Sequence, residues 1–225
     1  MTPATAVTAN RFDVSRPKLL LFTMFAAMCA YVLVNNESFL LNSANPIWKH
    51  YEPIKWYLLP HGLAGASALL LGPFQFSDRL RQRYTKFHRV AGRIYVAGAL
   101  IASPLGIAVQ YGFSKVGAPP SLTMISITHG GLWALTTAIA VAMILQRKVQ
   151  THRQWMTRSF FIGPGVFLGA RVILGLAKTD PSDPMFAAIV WMTIAAAIPL
   201  ADVTLLAQEY LATRAATKLR AAAAA

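Results

Sequence analysis

Apolar residues in this chain gather into long runs, not into alternating or one-faced stripes. Six runs stand out, at about residues 18–35, 54–76, 88–111, 123–146, 155–177 and 184–207. Each has about the 20 residues a helix needs to cross a hydrocarbon core. Polar, basic or turn-rich segments separate them. The pattern predicts an all-α integral membrane protein with six transmembrane helices over 18–207. A polar tail (1–17) precedes them, and a basic helix with an alanine run (208–225) follows. The first run is read as an uncleaved span, because Met28-Cys29-Ala30 makes a poor small-x-small cleavage site. Four prolines mark the spans. Pro60 starts or kinks the second, Pro104 kinks the third, Pro199 lies inside the sixth, and Gly163-Pro164-Gly165 predicts a break in the fifth. Trp48, Tyr51, Trp56 and Tyr57 form an aromatic belt near the end of the first external connection, 36–53.

Composition strengthens this reading. Of 225 residues, 56% are hydrophobic and only 13% charged, against about 25% charged in soluble domains. The net charge of +13 suggests nucleic acid until the basic residues are located. Sixteen of the 21 fall on one side of the six-span scheme, in the tails and in the loops around 79–93 and 147–158. The positive-inside rule makes that side cytoplasmic, with both termini inside. The partner implied is the lipid bilayer, not nucleic acid. The single cysteine, Cys29, excludes an intrachain disulfide and any cysteine-based zinc or iron–sulfur site.

An internal repeat emerges next. HGLAGASALLLGPFQF, a basic loop and FHRVAGRIYVAG are echoed by HGGLWALTTAIAVAMIL, a basic loop and THRQWMTRSFFIG. The halves, about 54–111 and 123–177, predict a central four-helix bundle built from a two-helix repeat. Sites in such proteins tend to form at the repeat interface.

Four histidines occupy equivalent places in the repeat. His61 and His129 lie at one depth near the outer face, and His88 and His152 near the inner face. Haem iron inside a bundle needs two imidazoles at one depth on opposing helices, so each pair is a candidate ligand set for haem b. Gly62, Gly65, Gly130, Gly131 and Gly92 could give the flat ring room. Arg171 at the outer level, and Arg93 and Arg158 at the inner level, could meet its propionates. Arg171 lies within a span, where an unpaired charge costs about 2.5–3.5 kcal/mol at the centre. It has no acidic partner within the spans. An anionic ligand would supply one, or the side chain could snorkel outward toward Asp180 or Asp183. Asp202, near the inner end of the sixth span, is expected to pair with Arg93 or Arg158.

The blocks PHGLAGASALLLGPFQF, FHRVAGRIYVAGALIASPLGIAV, HGGLW and THRQWMTRSF, over about residues 55–176, resemble a bacterial family of predicted membrane proteins, domain-of-unknown-function family 2306. That family carries no activity to transfer. A looser likeness is to the cytochrome b561 group, whose six spans hold two bis-histidine haems and pass electrons across the membrane. On that likeness His61 pairs with His129, and His88 with His152. The inner histidines lie closer to the loops than in that group, and no ascorbate-binding signature is evident.

These readings leave three functions open. One is transmembrane electron transfer through haem b, with a quinone or another small redox partner. The second is a cofactor-free transporter or small-anion binding protein that uses Arg171 and the histidines. The third is a structural membrane subunit.

Overall fold

The computed structural model describes residues 16–37, 39, 42, 44–115, 117–179 and 182–224. Most of the predicted N-terminal tail, residues 1–15, lies outside the described residues, as does Asp180. The described chain is helical throughout. Its elements are α1 (Arg16–Asn35), α2 (Ile47–Tyr51), a single 3-10 turn (Glu52–Ile54), α3 (Lys55–Gln75), α4 (Asp78–Arg83), α5 (Thr85–Lys115), α6 (Pro120–Leu145), α7 (Val149–Phe160), a π-helical turn (Phe161–Gly165), α8 (Val166–Ala177) and α9 (Pro184–Ala224). Among the described residues, four helical stretches are long and apolar enough to cross a membrane: Thr85–Lys115, Pro120–Leu145, Val149–Ala177 and Pro184–Arg214.

Local chemistry sets the boundaries. The Ser77 hydroxyl caps α4 by accepting from the Leu80 N–H at 3.3 Å. Proline opens α6 at its first position, where no amide donor is needed. Lys178 ends α8 in the left-handed conformation, with φ 53° and ψ 38°. Arg147 turns the chain between α6 and α7 at φ 60°.

Small residues then let the helices approach. Along α3 and α5 the contacts Ile54–Gly112, His61–Gly106 and Gln75–Gly92 run in opposite orders, so the two helices are antiparallel. Gly130 of α6 lies 3.0 Å, measured from an added Cβ, from the Ser103 carbonyl of α5. Phe160, at the end of α7, packs on Gly72 of α3 and meets Phe76 edge-on at 5.1 Å. The order α3, α5, α6, α7 therefore closes on itself around the fully buried Tyr95. α9 packs against this bundle, and α1 rests on α8.

Three expectations change. The fifth apolar run is not broken at Gly163-Pro164-Gly165. Pro164 cannot donate to the Phe160 carbonyl, and the helix widens into a π turn in which the Val166 N–H reaches the Phe161 carbonyl. Of the two expectations at Pro60, a helix start is overturned, because α3 begins at Lys55 and carries Pro60 and Pro73 inside it. The C-terminal basic segment is not a separate helix: α9 runs 41 residues without interruption, a length of about 60 Å.

Candidate functional site

The polar side chains inside the bundle form two levels joined by a hydroxyl cluster. At the level away from the basic loops, His61 Nδ1–H donates to the Ala102 carbonyl of α5 at 2.9 Å. Its ring lies on Gly106, where an added Cβ would stand 2.8 Å from the imidazole. His129 Nε2–H donates to the Ile162 carbonyl in the π turn at 2.7 Å. Both repeat halves thus use their first histidine alike, to tie one helix to the backbone of the next. His61 is also within electrostatic reach of Glu37 and Arg171, and His129 of His61.

Arg171 is not without an acid. Its guanidinium lies 3.6 Å from Glu37, in the loop that follows α1, and stacks on Phe167 at 5.6 Å. The acid does not come from the spans, as expected, but from a connecting segment folded over them. An aromatic cap covers this end. Phe39 is buried between Trp48 and Tyr51, at 5.2 and 5.0 Å, and His50 stacks on Phe113 at 5.2 Å. Burial pushes the Tyr51 phenol above its usual pKa, with Arg171 opposing and Glu37 adding to the shift.

The middle of the bundle is a closed hydrogen-bond circuit. Trp133 Nε1 contacts the Tyr95 hydroxyl at 3.4 Å, Tyr95 meets Ser159 at 2.9 Å, Ser159 meets Thr137 at 2.7 Å, and Thr137 donates to the Trp133 carbonyl at 2.7 Å. An indole can only donate and a carbonyl can only accept. The protons must therefore point from Trp133 to Tyr95, Ser159 and Thr137, then back to Trp133. Every hydroxyl donates once and accepts once. Sequence reading does not single out Ser159. Its spacing on α7 gives no signal until α7 is docked.

The level at the basic loops holds two unpartnered nitrogens. His152 Nδ1–H donates to the Ala140 carbonyl at 2.8 Å. His88 Nδ1 is buried without a hydrogen-bond partner, and so is the Gln75 amide nitrogen. Gln75 lies over Gly92, with its oxygen 3.2 Å from where a Cβ would be. His88 is four residues before Gly92, on the same face of α5. His152, Arg81 and Arg89 all lie within electrostatic reach of His88. A cavity of about 10 Å³, lined by Gly72, Gln75, Phe76, Tyr95, Met156 and Phe160, opens beside the amide. Asp78 pairs with Arg81 at 2.5 Å and with Arg153 at 3.8 Å. Arg158 binds Asp202 of α9 through both Nε and a terminal nitrogen at 2.8 Å, as one of the two expected pairings has it. Arg93 is exposed.

The candidate haem ligands can be tested on these hydrogen bonds. A haem-bound imidazole coordinates iron through Nε2 and donates Nδ1–H to a carbonyl or carboxylate. His61 and His152 are oriented in that way, with Nε2 left over. His129 has Nε2 taken up by Ile162, and nothing orients His88. Each level therefore supplies one suitable imidazole and one that is not, so neither pair fits a bis-imidazole ring as it stands. The expected glycine slot is also divided. Gly130 backs onto α5 and Gly92 onto Gln75, while Gly62, Gly65 and Gly131 meet no atom within 4 Å of an added Cβ.

Long apolar helices around a small buried polar core define an integral membrane protein of the all-α class. Residues 58–205 match the family described as predicted membrane protein (DUF2306), and the chain belongs to that family. No curated protein and no solved structure matches it. The looser likeness to the cytochrome b561 group is not shown by these comparisons.

Proposed function

We propose that this chain is a six-span protein of the bacterial inner membrane that binds an anionic group at its basic, cytoplasmic end, without a cofactor. The observation that carries this reading is the pair of buried, unpartnered nitrogens on facing helices, Gln75 Nε2 and His88 Nδ1. A buried donor without an acceptor costs about 1–3 kcal/mol, and an anionic oxygen would remove that cost. Arg89 near His88 favours negative charge there, while Arg81 is already met by Asp78. At the opposite level Arg171 is met by Glu37, the His61 and His129 rings are met by carbonyls, and the unpartnered atoms Asn36 Oδ1, Thr123 Oγ1 and Thr179 Oγ1 include no nitrogen donor. The test is thermal unfolding in mild detergent with inorganic phosphate, sulfate, acetate or phosphatidylglycerol. At least one should raise the midpoint in wild type and leave Gln75→Leu and His88→Leu unmoved. No response to any of the four would overturn the reading.

A second reading is b-type haem electron transfer with a quinone or another small redox partner. Its support is the orientation of His61 and His152, and it requires the His129 ring to turn over. Bound haem would supply reversible one-electron chemistry. A dithionite-reduced spectrum decides it. A sharp α band lost in His61→Ala or His129→Ala supports haem, and a colourless protein after expression with added haem overturns it.

A further inference from the structure

The basic-end site has a neighbour that narrows the ligand, on the reading that an anionic group binds there. Phe74 adjoins Gln75 on α3, and Phe87 adjoins His88 on α5. Their rings meet edge to face at 6.1 Å, and each residue is 45% exposed. This places an aromatic pair on the outer surface of the bundle beside the two unpartnered nitrogens. In a membrane protein such a surface faces acyl chains, and aromatic rings favour the boundary where chains meet headgroups. The polar side of the same spot holds Gln75, His88 and His152, with Arg81 and Arg89 close to His88.

We infer that this site binds a phosphate group carried by an anionic phospholipid: one phosphate oxygen faces the Gln75 amide and His88, and the chains lie over Phe74 and Phe87. A free phosphate would use the same nitrogens but would leave the aromatic pair without a role. The arginines alone would attract any anionic lipid loosely. The unpartnered amide over Gly92 makes the site local.

The experiment is native mass spectrometry of the full chain released from mild detergent, with phosphatidylglycerol, phosphatidylcholine or inorganic phosphate added separately. Wild type should retain one phosphatidylglycerol in preference to phosphatidylcholine. Gln75→Leu and His88→Leu should each weaken retention about tenfold, the equivalent of losing one hydrogen bond to a charged group. The paired change Phe74→Ala/Phe87→Ala should weaken phosphatidylglycerol retention but leave the response to inorganic phosphate as in wild type. Arg214→Gln, on the distal part of α9, should change nothing. Gln75→Leu should also melt no lower than wild type in lipid-free detergent, because it removes an unsatisfied group. Inorganic phosphate binding without phosphatidylglycerol retention would overturn the lipid assignment and leave the anion reading standing. Binding of neither would overturn both. Retention unaffected by Gln75→Leu and His88→Leu would move the lipid elsewhere and overturn the site.

Discussion

The Trp133 indole fills the space that a side chain at position 163 would need: a Cβ on Gly163 would overlap the ring. The same indole starts the hydroxyl circuit through Tyr95, and Gly163 belongs to the π turn that presents Ile162 to His129. One contact therefore holds the α6–α7 register and the polar core together.

Gly163→Ala should be among the most damaging single methyl additions in this chain. Overpacking a tight core costs about 1–3 kcal/mol, and here the obstacle is a rigid ring. Thermal unfolding in detergent reads the loss. Adding Trp133→Leu should recover part of it by removing the ring. If Gly163→Ala melts like wild type, the contact is not as close as described.

The circuit makes a second prediction. Tyr95→Phe removes both an acceptor for Trp133 and a donor to Ser159, and should destabilise by about 1–3 kcal/mol. Ser159→Ala should cost a similar amount, since it leaves the buried Tyr95 hydroxyl without an acceptor. The double change should cost clearly less than the two single losses combined, because both break one loop of bonds. Strict additivity would show that the hydroxyls act separately.

The Arg158–Asp202 pair joins α7 to α9. Its side chains are 22% and 42% exposed, so its net worth is modest, about 1 kcal/mol or less. Asp202→Asn should loosen α9 more than the bundle. Hydrogen exchange should rise along Pro184–Ala224 and stay unchanged around Tyr95. The swap Arg158→Asp/Asp202→Arg should restore much of the protection. Uniform exchange changes would argue that α9 is not held at this point.

Topology can be measured with the single native thiol removed. In a Cys29→Ser background, Lys49→Cys should react with an impermeant maleimide from one side of the membrane and Gln82→Cys from the other. Lys49 lies in α2 and Gln82 in α4. Labelling of both from one side would overturn the six-span arrangement.

Much of the fold was legible along the chain, for a simple reason. A segment that must bury its backbone in hydrocarbon announces itself by composition over about 20 residues. The run at 88–111 lies within Thr85–Lys115 and the run at 123–146 became Pro120–Leu145. The fifth apolar run is continuous because a helix can absorb a proline by widening, and the sequence names the residue but not the remedy. The Arg158–Asp202 pairing could be narrowed to two candidates because both ends lie at one depth.

What the sequence determined was one-dimensional: which segments are apolar, where the positive charge gathers, and which histidines recur in the repeat. Only the tertiary structure decided what each polar atom meets, because that depends on helix rotation and on how loops fold back. Rotation left Gln75 and His88 without partners and gave His61, His129 and His152 a carbonyl each. Folding back brought Glu37 to Arg171 from outside the apolar runs. A few tens of degrees about a helix axis separates a ligand-seeking imidazole from one bonded to its neighbour's backbone, and no spacing along the chain fixes that angle.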